Sequence, residues 1–167
     1  KRKKKGEFYL PNDSDFYSFP NFPVDFSVEL YVNHDTKIDD FKVNADYSLE
    51  DEVIEIVVIY NPNKLENNLY NIVGELNEII AHELEHSLQY YRGDIDTDFE
   101  ETEDPLEYYT QPHEITAQIE GFKRLSKLRK LPLEKVVNDW FETHTDIHKL
   151  NDEEQEIVIN KILNYRK

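Results

Sequence analysis

At 167 residues the chain has the length of one ordinary domain, long enough to bury a core without covalent staples. It has no cysteine, which excludes disulfides, iron–sulfur clusters and thiolate metal ribbons and leaves six His and 36 Asp and Glu as the pool of metal ligands. A formal net charge of −17 argues against nucleic acid and anionic membranes as partners, and no run approaches the roughly 18 apolar residues of a membrane span or looks like a signal peptide.

Lys1 to Lys5 are all basic and precede an acidic body in a chain without methionine, so they read as a solvated tail on part of a longer product. Residues 6–25 carry Pro11, Pro20, Pro23, Phe16, Phe19 and Phe22, the composition of an irregular arm whose aromatics dock on a core. Phe26, Val28, Leu30 and Val32 then alternate with Ser27, Glu29 and Tyr31, the period of a half-buried strand. Phe41, Val43, Ala45, Tyr47 and Leu49 predict a second strand. Val53 to Tyr60, β-branched and nearly all apolar, predicts a central third, ended by Asn61-Pro62-Asn63. The expected sheet is small and largely antiparallel.

From about Leu69 the period becomes helical: Ile72, Val73, Leu76, Ile79, Ile80, Leu84 and Leu88 recur at threes and fours until Gly93. Asp94 to Asp104 has no apolar period and is expected to be a solvated acidic loop. Asp94, Asp96, Asp98, Glu100 and Glu101 lack the glycine and spacing of an EF-hand. Three more helices are predicted. One starts at Pro112 and carries Ile115, Ile119, Phe122, Leu125 and Leu128; one starts near Pro132 with Val136, Val137, Trp140 and Phe141; the last starts near Asp152 behind a cap at Asn151. The fold class is α+β: one domain over 1–167, with a small sheet in the N-terminal half followed by about four helices.

His82-Glu83-Leu84-Glu85-His86 is an H-E-x-x-H sequence in the middle of the strongest predicted helix. Residues four apart share a helix face, so both imidazoles can reach one cation, while Glu83, turned about 100° from His82, can accept a proton from a water at an open position. A third ligand is required if one position stays open. Glu114 is the first choice because it opens the next helix, in Pro112-His113-Glu114-Ile115-Thr116-Ala117, 28 residues past His86. Ala117, one turn on, is small enough to let the helices approach. His113 is the nearest rival and Asp94 a further one. His144 and His148 form another i, i+4 pair, but no acid separates them in the H-E-x-x-H manner, and a surface pair is the simpler reading.

The chain resembles zincin metallopeptidases of the gluzincin type, in which H-E-x-x-H on one helix is joined by a Glu from the following helix. The likeness covers roughly Val53 to Lys127, and compact phage and bacterial peptidases with H-E-x-x-H followed by P-x-E-x-x-A are similar. It implies a zincin-like fold, one Zn2+ per chain on His82, His86 and Glu114, and hydrolysis of a peptide or protein substrate with Glu83 as general base and proton shuttle. It also implies a strand edge that binds extended substrate, without saying which strand. Tyr108, Tyr109 and His113 are candidate oxyanion donors. Thermolysin-like members have Asn before the third-ligand Glu and Asp four residues after it, where this chain has His113 and Gln118; Gln118, Glu120 or Asp94 is then expected to orient His82. Two other readings stand beside this one: a zinc hydrolase of a non-peptide amide or ester, and a zinc-stabilised interaction protein without catalysis. The lack of cysteine fits an intracellular or phage-associated setting and is compatible with export.

Overall fold

The computed structural model describes residues 27–48, 53–95 and 102–165. The expected basic tail, the aromatic arm and most of the acidic loop, including Asp96, Asp98, Glu100 and Glu101, lie outside those residues, as do Phe26 and Leu49. The α+β arrangement is the expected one: three strands, β1 (Ser27–His34), β2 (Phe41–Ser48) and β3 (Val53–Tyr60), precede the helices.

The sheet is mixed, however, with β3 in the middle, parallel to β1 and antiparallel to β2. Alternating polarity marks strands but not their order. β1 and β2 run in opposite directions, so any strand inserted between them must parallel one and oppose the other. β3 takes the centre because it is the most apolar, with Ile54, Ile56 and Val58 buried, whereas Glu29, Asn33, Lys42, Asn44 and Asp46 suit edges.

The β1–β2 connection therefore arches over the end of β3, where buried Asn61 holds it. Its Nδ2 donates to the Ile38 carbonyl at 2.9 Å and the Thr36 carbonyl at 3.4 Å, its N–H donates to the Asp40 carbonyl at 3.3 Å, and its Oδ1 accepts from the Asn63 N–H at 3.0 Å. Asn61→Ala strands the Ile38 and Thr36 carbonyls, so urea unfolding should show a loss of about 1–3 kcal/mol; an unchanged midpoint would remove the Asn61 side chain from this role.

Asn61 also launches α1 (Leu65–Arg92), since the Lys64 N–H donates to its carbonyl. Gly93 ends the helix at φ 74°, with its N–H on the Tyr90 carbonyl and the Asp94 N–H on the Gln89 carbonyl, a pair of bonds that satisfies the last turn. Further along come α2 (Pro105–Thr110), α3 (Pro112–Arg129), α4 (Leu133–Thr143), α5 (Thr145–His148) and α6 (Asp152–Asn164). The four predicted helices are α1, α3, α4 and α6. Sequence periodicity missed α2, a single short turn capped by Asp104 Oδ1, which accepts from the Glu107 N–H at 2.9 Å. No described helix is long and apolar enough to cross a membrane.

α1 lies between two apolar clusters. Ile72, Leu76, Ile79, Ile80 and Leu84 pack on Val43, Ile54, Ile56 and Val58 of the sheet. α3, α4 and α6 close a second cluster around Phe122, Leu125, Val137, Phe141 and Val158. The α1 surface facing α3 is thus free to carry polar residues. The two helices approach closely at Gly121, where a Cβ would stand 2.9 Å from Glu78 Oε1 and 3.0 Å from the Glu78 carbonyl. Ala117 is fully buried.

Candidate metal centre

One helical turn of α1 projects His82 and His86 toward the first turn of α3, where Pro112 starts the helix and Glu114 follows two residues later. The two Nε2 atoms lie 3.0 Å apart. His86 Nε2 is 3.3 Å from Glu114 Oε1, and His82 Nε2 is 3.6 Å from Glu114 Oε2. Among the described residues, His82, His86 and Glu114 form a group that could hold a metal ion, with ligand atoms within 4.8 Å of one another. A tetrahedral ion with bonds of roughly 2.0–2.1 Å needs ligand atoms about 3.3 Å apart, a spacing close to that of the two imidazoles from each other and of each from the nearer Glu114 oxygen. Glu114 Oε2 is buried without a hydrogen-bond partner among the described residues, an orphaned acceptor that a cation would satisfy.

Electrostatics favour the same reading. Burial, reinforced by His86, pushes His82 down to about 4 against the pull of Glu114, so His82 is neutral near pH 7 and its lone pair is available. Burial alone would push Glu114 up, but the hydrogen bond from His86, the neighbouring imidazoles and Tyr108 hold it below the usual carboxylate range. Burial likewise lowers His86, yet Glu114 outweighs it and the net shift is upward. A metal would displace that proton.

His86 is oriented by Gln89, a residue sequence reasoning did not single out. His86 Nδ1 lies 2.9 Å from Gln89 Oε1, while Gln89 Nε2 donates to the His113 carbonyl at 2.8 Å and to Thr116 Oγ1. One buried amide thereby fixes the ring and ties α1 to the first turn of α3. The signal was available: Gln89 stands three residues after His86 on the same helical face. The residues expected to orient His82 do not do so. Among the described residues Gln118 has both side-chain polar atoms unpartnered, Glu120 bonds Lys123 at 2.7 Å, and Asp94 approaches Arg92 at 3.9 Å.

Glu83 is buried beside the group and lines the same cavity, of about 230 Å³, as His82, Glu114 and Tyr108. Burial raises its carboxyl to about 7, with Glu114 and Asp46 adding to the rise and His86 opposing it. Tyr108 lines the cavity with Glu114 and interacts with its carboxylate, so this phenol stands beside the metal-binding group. Tyr109 shares the cavity wall but stacks its ring edge-on to Phe141 and His148. His113 Nε2 is 3.7 Å from Glu114 Oε1, outside the ligand group. β2 supplies the opposite wall through Val43, Asn44 and Ala45.

His144 and His148 are not a surface pair. His148 is buried, with Nε2 2.8 Å from the Phe141 carbonyl and Nδ1 accepting from the Leu150 N–H at 3.0 Å. His144 stacks on Trp140 and faces the cavity, its Nε2 3.2 Å from Glu75 Oε1. Along the same wall, Glu78 is raised to about 8 by burial and by Glu75, with His144 pulling the other way. No protein-family model matches the chain, and no curated protein or solved structure matches it either.

Proposed function

We propose that the protein is a zinc metallopeptidase of the zincin kind, with His82, His86 and Glu114 as ligands and Glu83 as general base. The observation that carries this reading is the convergence of both Nε2 atoms, 3.0 Å apart, on the Glu114 carboxylate while Glu83 lines the same cavity. Two imidazoles and a carboxylate with no thiolate are a donor set suited to catalytic zinc. Zinc held there would supply Lewis-acid polarisation of a scissile carbonyl and acidify water.

The chain's own residues would perform the remaining steps. Glu83 takes the proton of the attacking water and delivers it to the departing amine. The Tyr108 phenol, already beside Glu114, donates to the developing oxyanion. β2 is an edge strand among the described residues and borders the cavity, so an extended peptide would pair with its free edge.

The test joins metal analysis to a peptide-library digest. Purified protein should carry about one zinc per chain, cleave library peptides, lose cleavage on chelation and regain it with added zinc. One tightly held zinc without cleavage of any peptide would leave a structural site and refute the peptidase.

A further inference from the structure

Next to the metal-binding group the same cavity holds polar groups that nothing described in the protein satisfies. Glu78 precedes His82 by one turn of α1, and Gln118 follows Glu114 by one turn of α3; both line the cavity. Gly74 faces Leu125 and Arg129 while Gly121 faces Glu78, so the helices run antiparallel and these two residues repeat, one turn along, the layer made by His82 and Glu114. Glu78 is 8% exposed and Gln118 4%. Among the described residues neither Oε1 nor Nε2 of Gln118, both buried, has a hydrogen-bond partner, and the Glu78 carboxyl stands beside them on the cavity wall. A metal on the His82, His86 and Glu114 group does not relieve them, because neither belongs to it. Glu75, on the same wall, is already engaged by His144.

A buried amide left unpaired is unfavourable unless a ligand completes it, and the largely buried Glu78 carboxyl beside it offers that ligand further acceptors. The wall they share carries further carboxylates, so the complementary ligand is a cation. An ammonium fits best, since its three N–H donors can serve the carboxylate and the amide oxygen together. The amide Nε2 then remains to donate to a carbonyl, the group that neighbours an amine in a peptide. Burial and the neighbouring Glu75 raise the Glu78 carboxyl to about 8 against the pull of His144 and Arg129, so a bound ammonium draws it into the carboxylate form.

We propose that Glu78 and Gln118 form a subsite that receives a protonated amine of the substrate, with the Glu78 carboxylate and Gln118 Oε1 accepting its N–H groups and Gln118 Nε2 donating to the adjacent peptide carbonyl. That the amine belongs to a substrate rests on the peptidase reading; the binding itself does not. The α-amine of a free N-terminus and the ε-amine of lysine share this chemistry.

The experiment is calorimetric titration of zinc-treated full-length protein carrying Glu83→Gln, which should not consume the probes. Three amidated tetrapeptides are compared: tetra-alanine with a free N-terminus, its N-acetylated counterpart with one lysine, and the same acetylated peptide with norleucine in place of lysine. At least one amine probe should bind about tenfold more tightly than the norleucine peptide, the gain expected of charge-assisted hydrogen bonds. Adding Glu78→Gln or Gln118→Leu, both near-isosteric, should abolish that advantage with metal content unchanged and a thermal midpoint no lower than before. A stronger response to the free N-terminus would mark an aminopeptidase-like site, and one to lysine a side-chain pocket. Equal binding of all three probes, or an advantage that survives both substitutions, overturns the proposal. Failure of the peptidase reading shows separately, as wild-type protein that prefers the amine probe yet cleaves nothing.

Discussion

Glu83→Gln protein is expected to retain about one zinc per chain while its peptide hydrolysis falls by roughly three orders of magnitude, the contribution of a positioned general base. The amide preserves the volume of a side chain that is buried at the cavity wall, so packing against the metal group is conserved. What disappears is the ability to accept and return a proton. His86→Ala should behave differently and lose the metal as well as the activity, because it deletes one of the three groups proposed to hold the ion and leaves Gln89 Oε1 and Glu114 Oε1 facing a void. Plasma emission analysis of zinc beside the hydrolysis rate separates the two outcomes. Full activity in Glu83→Gln would refute the base assignment, and full zinc occupancy in His86→Ala would refute the ligand assignment.

The contrast between these residues marks what the sequence could reveal. The placement of His82, Glu83 and His86 on one helix was legible because a helix converts spacing directly into geometry, and α1 had an unambiguous apolar period. Glu114 needed more, since its approach depends on α3 turning back alongside α1 at Gly121, but its place in the first turn after Pro112 was readable. Strand spans were legible from alternation. Strand order was not, because it is settled by which strand can spare both edges and by Asn61 holding the arch, facts about pairing that no single segment contains. Nor was the fate of His148 legible: a histidine near a polar helix end looks solvated until the Phe141 carbonyl and the Leu150 N–H are found on either side of it. Gln118 shows the opposite error. Position suggested that it would orient His82, whereas its amide is left unpaired at the cavity wall.

Gln89→Leu is expected to weaken zinc binding by about 10- to 100-fold, although Gln89 is not among the ligands. Leucine fills a similar volume but offers His86 Nδ1 no acceptor, so the ring loses the contact that fixes its tautomer and aims Nε2 at Glu114. It also removes the donor to the His113 carbonyl and Thr116 Oγ1, and with it a polar tie between α1 and α3. The metal-free variant should therefore lose roughly 1–3 kcal/mol of stability to urea, the cost of groups left buried and unpaired. Gln89→Glu separates the two effects. Its carboxylate still accepts from His86 Nδ1, so zinc affinity should recover toward wild type, while its lost N–H leaves the His113 carbonyl facing a second acceptor and stability stays low. Competition for zinc with a chromogenic chelator measures affinity and urea melts measure stability. Equal zinc affinity in wild type and Gln89→Leu would mean that the backbone of α1 alone orients His86, and that the amide serves only to join the helices.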